Sequence, residues 1–210
     1  MLIWPCQSIS MNKKFFIIIG KSGSGKGTQA PLLMQYLLDN GLESVKHITT
    51  GGSIREFLKT NNSYTSDLMR KVVNNGGILN DFLAIWNWAN VFINNINERD
   101  SIILDGAPRK LSEAKVIDDA IKTYSYDNTA VIYIDVSDKW AIEKLGIRGR
   151  SDDKEIDNVN KKMEWFASDV LPVIDWYKNI NTKVNFYHIN GEQTPEDVHT
   201  DIIKSLEMYE

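Results

Sequence analysis

The sequence predicts an α/β domain, a parallel five-stranded sheet covered by helices on both faces. Three observations carry this. Five short apolar runs rich in β-branched and aromatic residues are spaced along the chain: Phe15–Ile19, Lys46–Ile48, Ile102–Leu104, Val131–Val136 and Phe186–Ile189. Stretches of helical periodicity separate them, the pattern of repeated βαβ units. A glycine-rich loop joins the first run to the first helix.

The runs read as buried parallel strands, which need continuous apolar character because both faces are covered. The first helix is predicted over Gly25–Asn40, with Leu32, Leu33, Tyr36 and Leu37 on one face and Asn40-Gly41 as its stop. The next strong pattern is Asp81–Asn97, opened by Asn80-Asp81 and carrying Leu83, Ile85, Trp88, Phe92 and Ile96. Trp86 and Trp88 sit two apart, so they point to different sides, and both read as packing groups. Helices follow over Leu111–Thr123 and Asn158–Asn179, with a short one after the fourth strand. The last helix, Pro195–Tyr209, has Thr194 as cap, Pro195 in the first helical position and acidic Glu196 and Asp197 in the first turn. His47, His188 and His199 lie in strand or helix patterns and read as structural.

The chain has 210 residues, the length of one domain with small insertions. Lys plus Arg is 24 and Asp plus Glu is 28, a net charge of −4. That balance argues against nucleic acid or a membrane surface as partner. The single cysteine, Cys6, excludes an internal disulfide and suits a reducing cytoplasm. No apolar run approaches the ~20 residues of a membrane span. Residues 1–10 hold only Leu2-Ile3-Trp4 before Pro5 and lack a signal-peptide pattern. They are expected to be a loose extension to a single domain over 11–210, the alternative being a packing arm.

Gly20-Lys21-Ser22-Gly23-Ser24-Gly25-Lys26-Gly27-Thr28 fits the phosphate-loop pattern G-x-x-x-x-G-K between a strand and a helix. Its glycines let successive N–H groups turn inward around a polyphosphate, and the helix adds its positive end. Lys26 brings a charge to the β- and γ-phosphates and Thr28 a hydroxyl toward Mg²⁺. The third strand ends Leu104-Asp105-Gly106. Asp105 can hold the metal through water, but Gly106 offers no base to activate water. That favours a transferase over a hydrolase.

Further arginines fall where open α/β sheets bind ligands, past strand ends. Arg109 follows Asp105-Gly106-Ala107-Pro108. Arg55 lies one turn into the helix after Thr49-Thr50-Gly51-Gly52. Arg148 and Arg150 follow the short helix after the fourth strand. The planar guanidinium fork suits phosphate. Four arginines on three segments beside a phosphate-loop lysine are what an enzyme holding two nucleotides needs.

These motifs, in this order, resemble the adenylate kinase family of nucleoside monophosphate kinases. Gly25-Lys26-Gly27-Thr28-Gln29 resembles its nucleotide loop and Thr49–Arg55 its STGDxxR segment. Gly76–Asp81 resembles its GxLVPD turn and Asp105–Arg109 its DGFPR motif. Arg148–Asp153 resembles the two ends of its lid joined with little between, and Asn190–Gln193 the loop over the ATP adenine. The resemblance implies a phosphate-loop α/β/α fold with a helical acceptor-binding insertion at about 49–78 and a very short lid at about 148–153. It implies the reversible reaction ATP + AMP = 2 ADP with Mg²⁺, in a monomer, without the zinc of some family lids. It further implies that Gly23, Ser24, Gly25, Lys26, Gly27, Thr28, Arg148 and Gln193 hold ATP. Thr50, Gly51, Arg55, Gly77, Ile78, Leu79, Gly106, Arg109, Glu113, Arg150 and Lys162 would hold AMP. Lys26, Arg109, Arg148 and Arg150 would act on the transferred group, with Thr28 and Asp105 reaching Mg²⁺.

The sequence departs from the family at Ser22, Gly52, Ala107, Lys144, Lys162 and Glu113. Glu113 stands where a glutamine reads the adenine edge. Glutamine donates to N1 and accepts from N6, whereas an ionised glutamate only accepts, which suits guanine better unless burial keeps it protonated. AMP is the favoured acceptor, with GMP and the pyrimidine monophosphates UMP and CMP as alternatives. A P-loop ATPase or a nucleotide-binding regulatory module without transfer is the reading from another class.

Overall fold

The computed structural model describes residues 13–153, 155–179 and 184–208. Strands β1 (Lys14–Ile19), β2 (Val45–Thr49), β3 (Ser101–Asp105), β4 (Asn128–Asp135) and β5 (Val184–Asn190) form one sheet in the order β2-β3-β1-β4-β5. All neighbours run parallel. Side chains alternate across β1 as strand geometry requires. Phe15, Ile17 and Ile19 enter the core on one face, and Phe16 and Ile18 the core on the other. Helices α1 (Lys26–Asp39) and α9 (Pro195–Glu207) cover the second face through Ala30, Leu33, Leu37, Val198 and Ile202. Helices α4 (Asp81–Asn95), α5 (Leu111–Thr123) and α8 (Leu171–Asn179) cover the first, with Trp88, Phe92, Ile117 and Val173 buried there. Each such fully buried side chain contributes about 1.5–3 kcal/mol relative to exposure.

Helices α2 (Thr50–Thr60) and α3 (Tyr64–Asn74) form an arm with its own small core of Ile54, Met69 and Leu79. Arg70 stitches the arm's turn, donating to the carbonyls of Leu58 and Asn61 and pairing with Asp67. Helix α6 (Asp138–Arg148) follows β4 and ends on Gly149 in the left-handed conformation. A 3-10 turn at Ser151–Asp153 then leads to α7 (Ile156–Trp165). Among the described residues no helix is long and apolar enough to cross a membrane.

The caps are where the sequence puts them. Asn80 accepts from the N–H of Leu83 and Thr194 from that of Asp197. Trp88 is buried in the core, while Trp86 packs edge-on against Phe57 of the arm. Four expectations need correction. The single helix over 158–179 is two, α7 and α8, separated by a π-helical turn at Phe166–Val170. Pro172 has no N–H for the Ser168 carbonyl and its ring crowds that carbonyl, so the turn before it widens. Leu32 does not share the buried face of α1 but is 39% exposed. Helix α4 stops at Asn95 because Ile96 turns extended. Strands β2 and β5 are edges, so Lys46 and His188 are exposed rather than enclosed. The expectation for residues 1–10 lies outside the described residues, as does Tyr209.

Candidate active site

The register places the ends of β1 and β3 side by side, with Ile18 opposite Asp105. Chain order reverses at β1, since β2 and β3 lie to one side and β4 and β5 to the other. Open sheets gather ligands at such a point. A cleft of about 720 Å³ lies there, between the phosphate loop, the arm, the α6–α7 connection and the β5–α9 loop.

One wall is the loop at the positive end of α1. Gly23 and Gly25 have φ of 91° and 93°. A side chain at either would be strained, and a Cβ on Gly23 would lie 2.5 Å from the Ala141 carbonyl. Ser24, Gly27 and Thr28 border the same hollow. Lys26 donates to the carbonyls of Gly20 and Lys21, both at 2.7 Å, so its amine lies curled inside the loop. Its pKa is lowered to about 8, chiefly by burial, and further by the charges of Arg109, Arg148 and Arg150.

The opposite wall carries the arginines. Arg109 Nε donates to the Gly106 carbonyl at 2.9 Å. A methyl group placed on Gly51 would lie 3.2 Å from Arg55 Nη1 and 3.9 Å from Arg109 Nη2, so both guanidinium groups converge beside that glycine. Arg148 makes a two-pronged ion pair with Asp153, and Arg150 borders the cleft alongside it. Asp105 is buried at the end of β3. Burial pushes its pKa up, but the His47 contact and the Lys26 charge outweigh this and hold it below the usual carboxylate range.

All the residues that the resemblance assigns to ATP, AMP or Mg²⁺ border this cleft or a small side pocket opening between α2, α4 and α5. Gly51, Gly77, Leu79, Gly106, Lys162 and Gln193 line the cleft. Thr50, Ile78 and Glu113 line the side pocket together with Ile54, Ala84 and Ala107. Two of these side chains are engaged elsewhere. Lys162 is buried with its amine between Asp152 and Asp153, each at 2.6 Å. Gln193 donates to Asp201 and the Asn190 carbonyl. Glu113 is the third residue of α5 and its carboxylate accepts the N–H of Arg109, capping the helix entrance. Burial raises its pKa, against the opposing Arg109 N–H and charge.

The cleft also contains residues given no nucleotide role from the sequence. Trp140 and Lys144, the latter noted only as a departure from the family pattern, are one helical turn apart on α6 and both line it, with the amine 4.5 Å from the ring centroid. Trp165 lines it from α7. His47, read as structural, borders it with Nε2 3.7 Å from Asp105. The i, i+4 spacing of Trp140 and Lys144 was a visible signal; nothing in the sequence distinguished Trp165 from a core aromatic.

The donor set suits a magnesium ion that arrives with a nucleotide. Magnesium takes one or two protein oxygens, retains water and relies on substrate phosphate. Asp105 and Thr28 offer one carboxylate and one hydroxyl on the same cleft. Among the described residues no cluster of three or more histidine, cysteine or acidic side chains could form a full cage.

A family model described as adenylate kinase matches residues 18–182. An adenylate kinase of Prochlorococcus marinus is 28% identical over 194 residues, 92% of this chain and 99% of that one. Adenylate kinase 1 of a Nostoc species is 28% identical over 190 residues, 90% and 97% of the two chains. An adenylate kinase of Bacteroides thetaiotaomicron is 28% identical over 195 residues, 91% and 97%.

Proposed function

Since the chain belongs to the adenylate kinase family, we propose that it transfers the γ-phosphoryl group of ATP reversibly to AMP, giving two ADP. The observation that supports this is that Arg55, Arg109, Arg148 and Arg150 line the same cleft as the phosphate loop that carries Lys26. A hydrolase or regulatory nucleotide module has no need of Arg55 and Arg109 opposite that loop.

In this reading the loop amides and Lys26 hold the donor phosphates, the lysine swinging from the Gly20 and Lys21 carbonyls to oxygen anions. Arg55 and Arg109 hold the acceptor phosphate in line with them. Arg148 and Arg150 lie over the transferring group. Asp105 and Thr28 would help hold a magnesium ion brought with the nucleotide, which would supply further charge neutralisation. No general base is needed, because phosphoryl transfer passes through a loose transition state and catalysis is positioning plus charge compensation. The short connection between α6 and α7, closing with the arm, excludes water that would otherwise take the phosphoryl group. The side pocket takes the acceptor base, and Gln193 borders the donor base.

The test is ADP formation from ATP with AMP, GMP, CMP and UMP in turn. AMP should give the highest kcat/KM; an absence of turnover with all four monophosphates would refute the reading. Glu113 refines it. Glu113→Gln keeps an oxygen for the Arg109 N–H and adds a donor for adenine N1. One such hydrogen bond is worth about 1 kcal/mol, so kcat/KM for AMP should rise roughly fivefold to tenfold at neutral pH. The sign with pH follows from the raised pKa. Protonated Glu113 donates and ionised Glu113 does not, so the advantage of glutamine shrinks as pH falls. An unchanged kcat/KM for every monophosphate would take Glu113 out of base recognition.

A further inference from the structure

We propose that Trp165 is a positioning residue for the acceptor half of the cleft. The Arg109 guanidinium lies over its ring, and its indole N–H ties the turn after α3 to α7. The inference rests on the reading of Arg109 as the ligand of the acceptor phosphate.

Trp165 ends α7, half-buried against the core, with one edge on the cleft. The Arg109 Cζ lies 5.3 Å from its ring centroid. Its Nε1 donates to the Gly76 carbonyl at 3.1 Å. One side chain thus touches both the arginine at the phosphate end of the acceptor site and the turn that leads into Gly77, Ile78 and Leu79 at its base end. The rest of α7 presses on the same turn. Asn158 donates to the Asn74 carbonyl at 3.0 Å and Lys161 to that of Asn75 at 3.3 Å. Gly76 has φ of 69°, and a Cβ there would lie 2.7 Å from the Asn158 carbonyl oxygen.

The chemistry of the contact suits positioning. An aromatic face attracts a guanidinium through its flat side and consumes none of its N–H donors, which lie in the plane. Arg109 spends Nε on Gly106, so its outer edge remains for phosphate. A long side chain left without that ring would sample rotamers that turn the fork away. The Gly76 tie fixes the distance between the turn and the arginine, and hence between the two ends of a bound monophosphate.

Two substitutions separate the two contacts. Trp165→Phe keeps a ring over Arg109 and deletes the N–H. Trp165→Leu deletes both. For folded protein, Trp165→Phe should raise KM for AMP about threefold to tenfold, leaving kcat and KM for ATP unchanged. Trp165→Leu should in addition lower kcat about tenfold. In an Arg109→Lys background that kcat effect of Trp165→Leu should shrink, because an ammonium has no planar edge to aim. A merely structural tryptophan would lower Tm in both variants and leave the AMP constants of folded protein unchanged; that result overturns the inference. If Trp165→Leu does not fold, the AMP-against-ATP split in Trp165→Phe decides alone. Arg109→Lys with wild-type AMP constants would instead overturn the reading of Arg109, and the inference with it. An impaired Arg109→Lys beside wild-type-like Trp165 variants rejects the inference only.

Discussion

Arg109→Ala should fold normally and form ADP from ATP and AMP about a thousandfold more slowly than the wild type. An arginine that stabilises the charge of a phosphoryl-transfer transition state is worth 10³–10⁵ in rate; for Arg109, on the acceptor phosphate beside the transferring group, the lower end, about 10³, is expected. The side chain lies in the cleft, and its one hydrogen bond to the protein's own backbone is to Gly106. Truncating it leaves the helix cap intact, because Glu113 accepts from the backbone N–H of residue 109 and not from the guanidinium. The loss should therefore fall on the acceptor. KM for AMP should rise together with the fall in kcat, while the calorimetric affinity for ATP stays within about twofold. A melting temperature within a few degrees of wild type would show that the fold survives. Turnover retained at more than a tenth of wild type would remove Arg109 from the phosphate.

Lys26→Ala is the complementary case on the donor wall. Removing one preorganised donor from a site of developing charge costs about 10²–10³ in kcat, and Lys26 is also the only lysine of the loop aimed into it. Lys21, its neighbour, points away, pairing with Asp138 and the Val136 carbonyl. ATP affinity should fall along with the rate, in contrast to Arg109→Ala. Burial has lowered the lysine's pKa to about 8 despite the attraction of Asp105, with the three arginine charges adding to the drop, so its deletion removes a charge held away from water. Thermal stability should therefore hold or rise slightly, and a scanning melt of both variants against wild type checks this. Equal loss of ATP affinity in the two variants would mean that the cleft does not divide into donor and acceptor walls.

The lining of the cleft could be read from the sequence because its parts are local signals. A glycine loop between a strand and a helix, and arginines just past strand ends, need no tertiary knowledge to place. The helix caps at Asn80 and Thr194 were legible for the same reason, being side-chain-to-backbone bonds three residues long. What could not be read depends on neighbours far along the chain. The π turn before Pro172 reflects a proline acting on a carbonyl four residues back within an otherwise regular apolar pattern. That Lys162 is clasped by Asp152 and Asp153 follows from how the α6–α7 connection folds back on α7. Trp165 has the same sequence character as the core aromatics, and only the approach of α7 to Gly76 brings it to the cleft. Glu113 was visible as a departure from the family pattern, yet its capping of α5 shows only once the Arg109 N–H is seen to face it.

The account requires two nucleotides to lie end to end between the phosphate loop and the arginines. Titration calorimetry with two adenosines joined by five phosphates measures this directly. One such molecule should bind per chain at least about a hundredfold more tightly than ATP, since joining two occupied subsites typically gains 10²–10⁴. In Arg109→Ala that gain should largely vanish. An affinity no better than that of ATP would mean the cleft holds one nucleotide, and the transfer reading would be wrong.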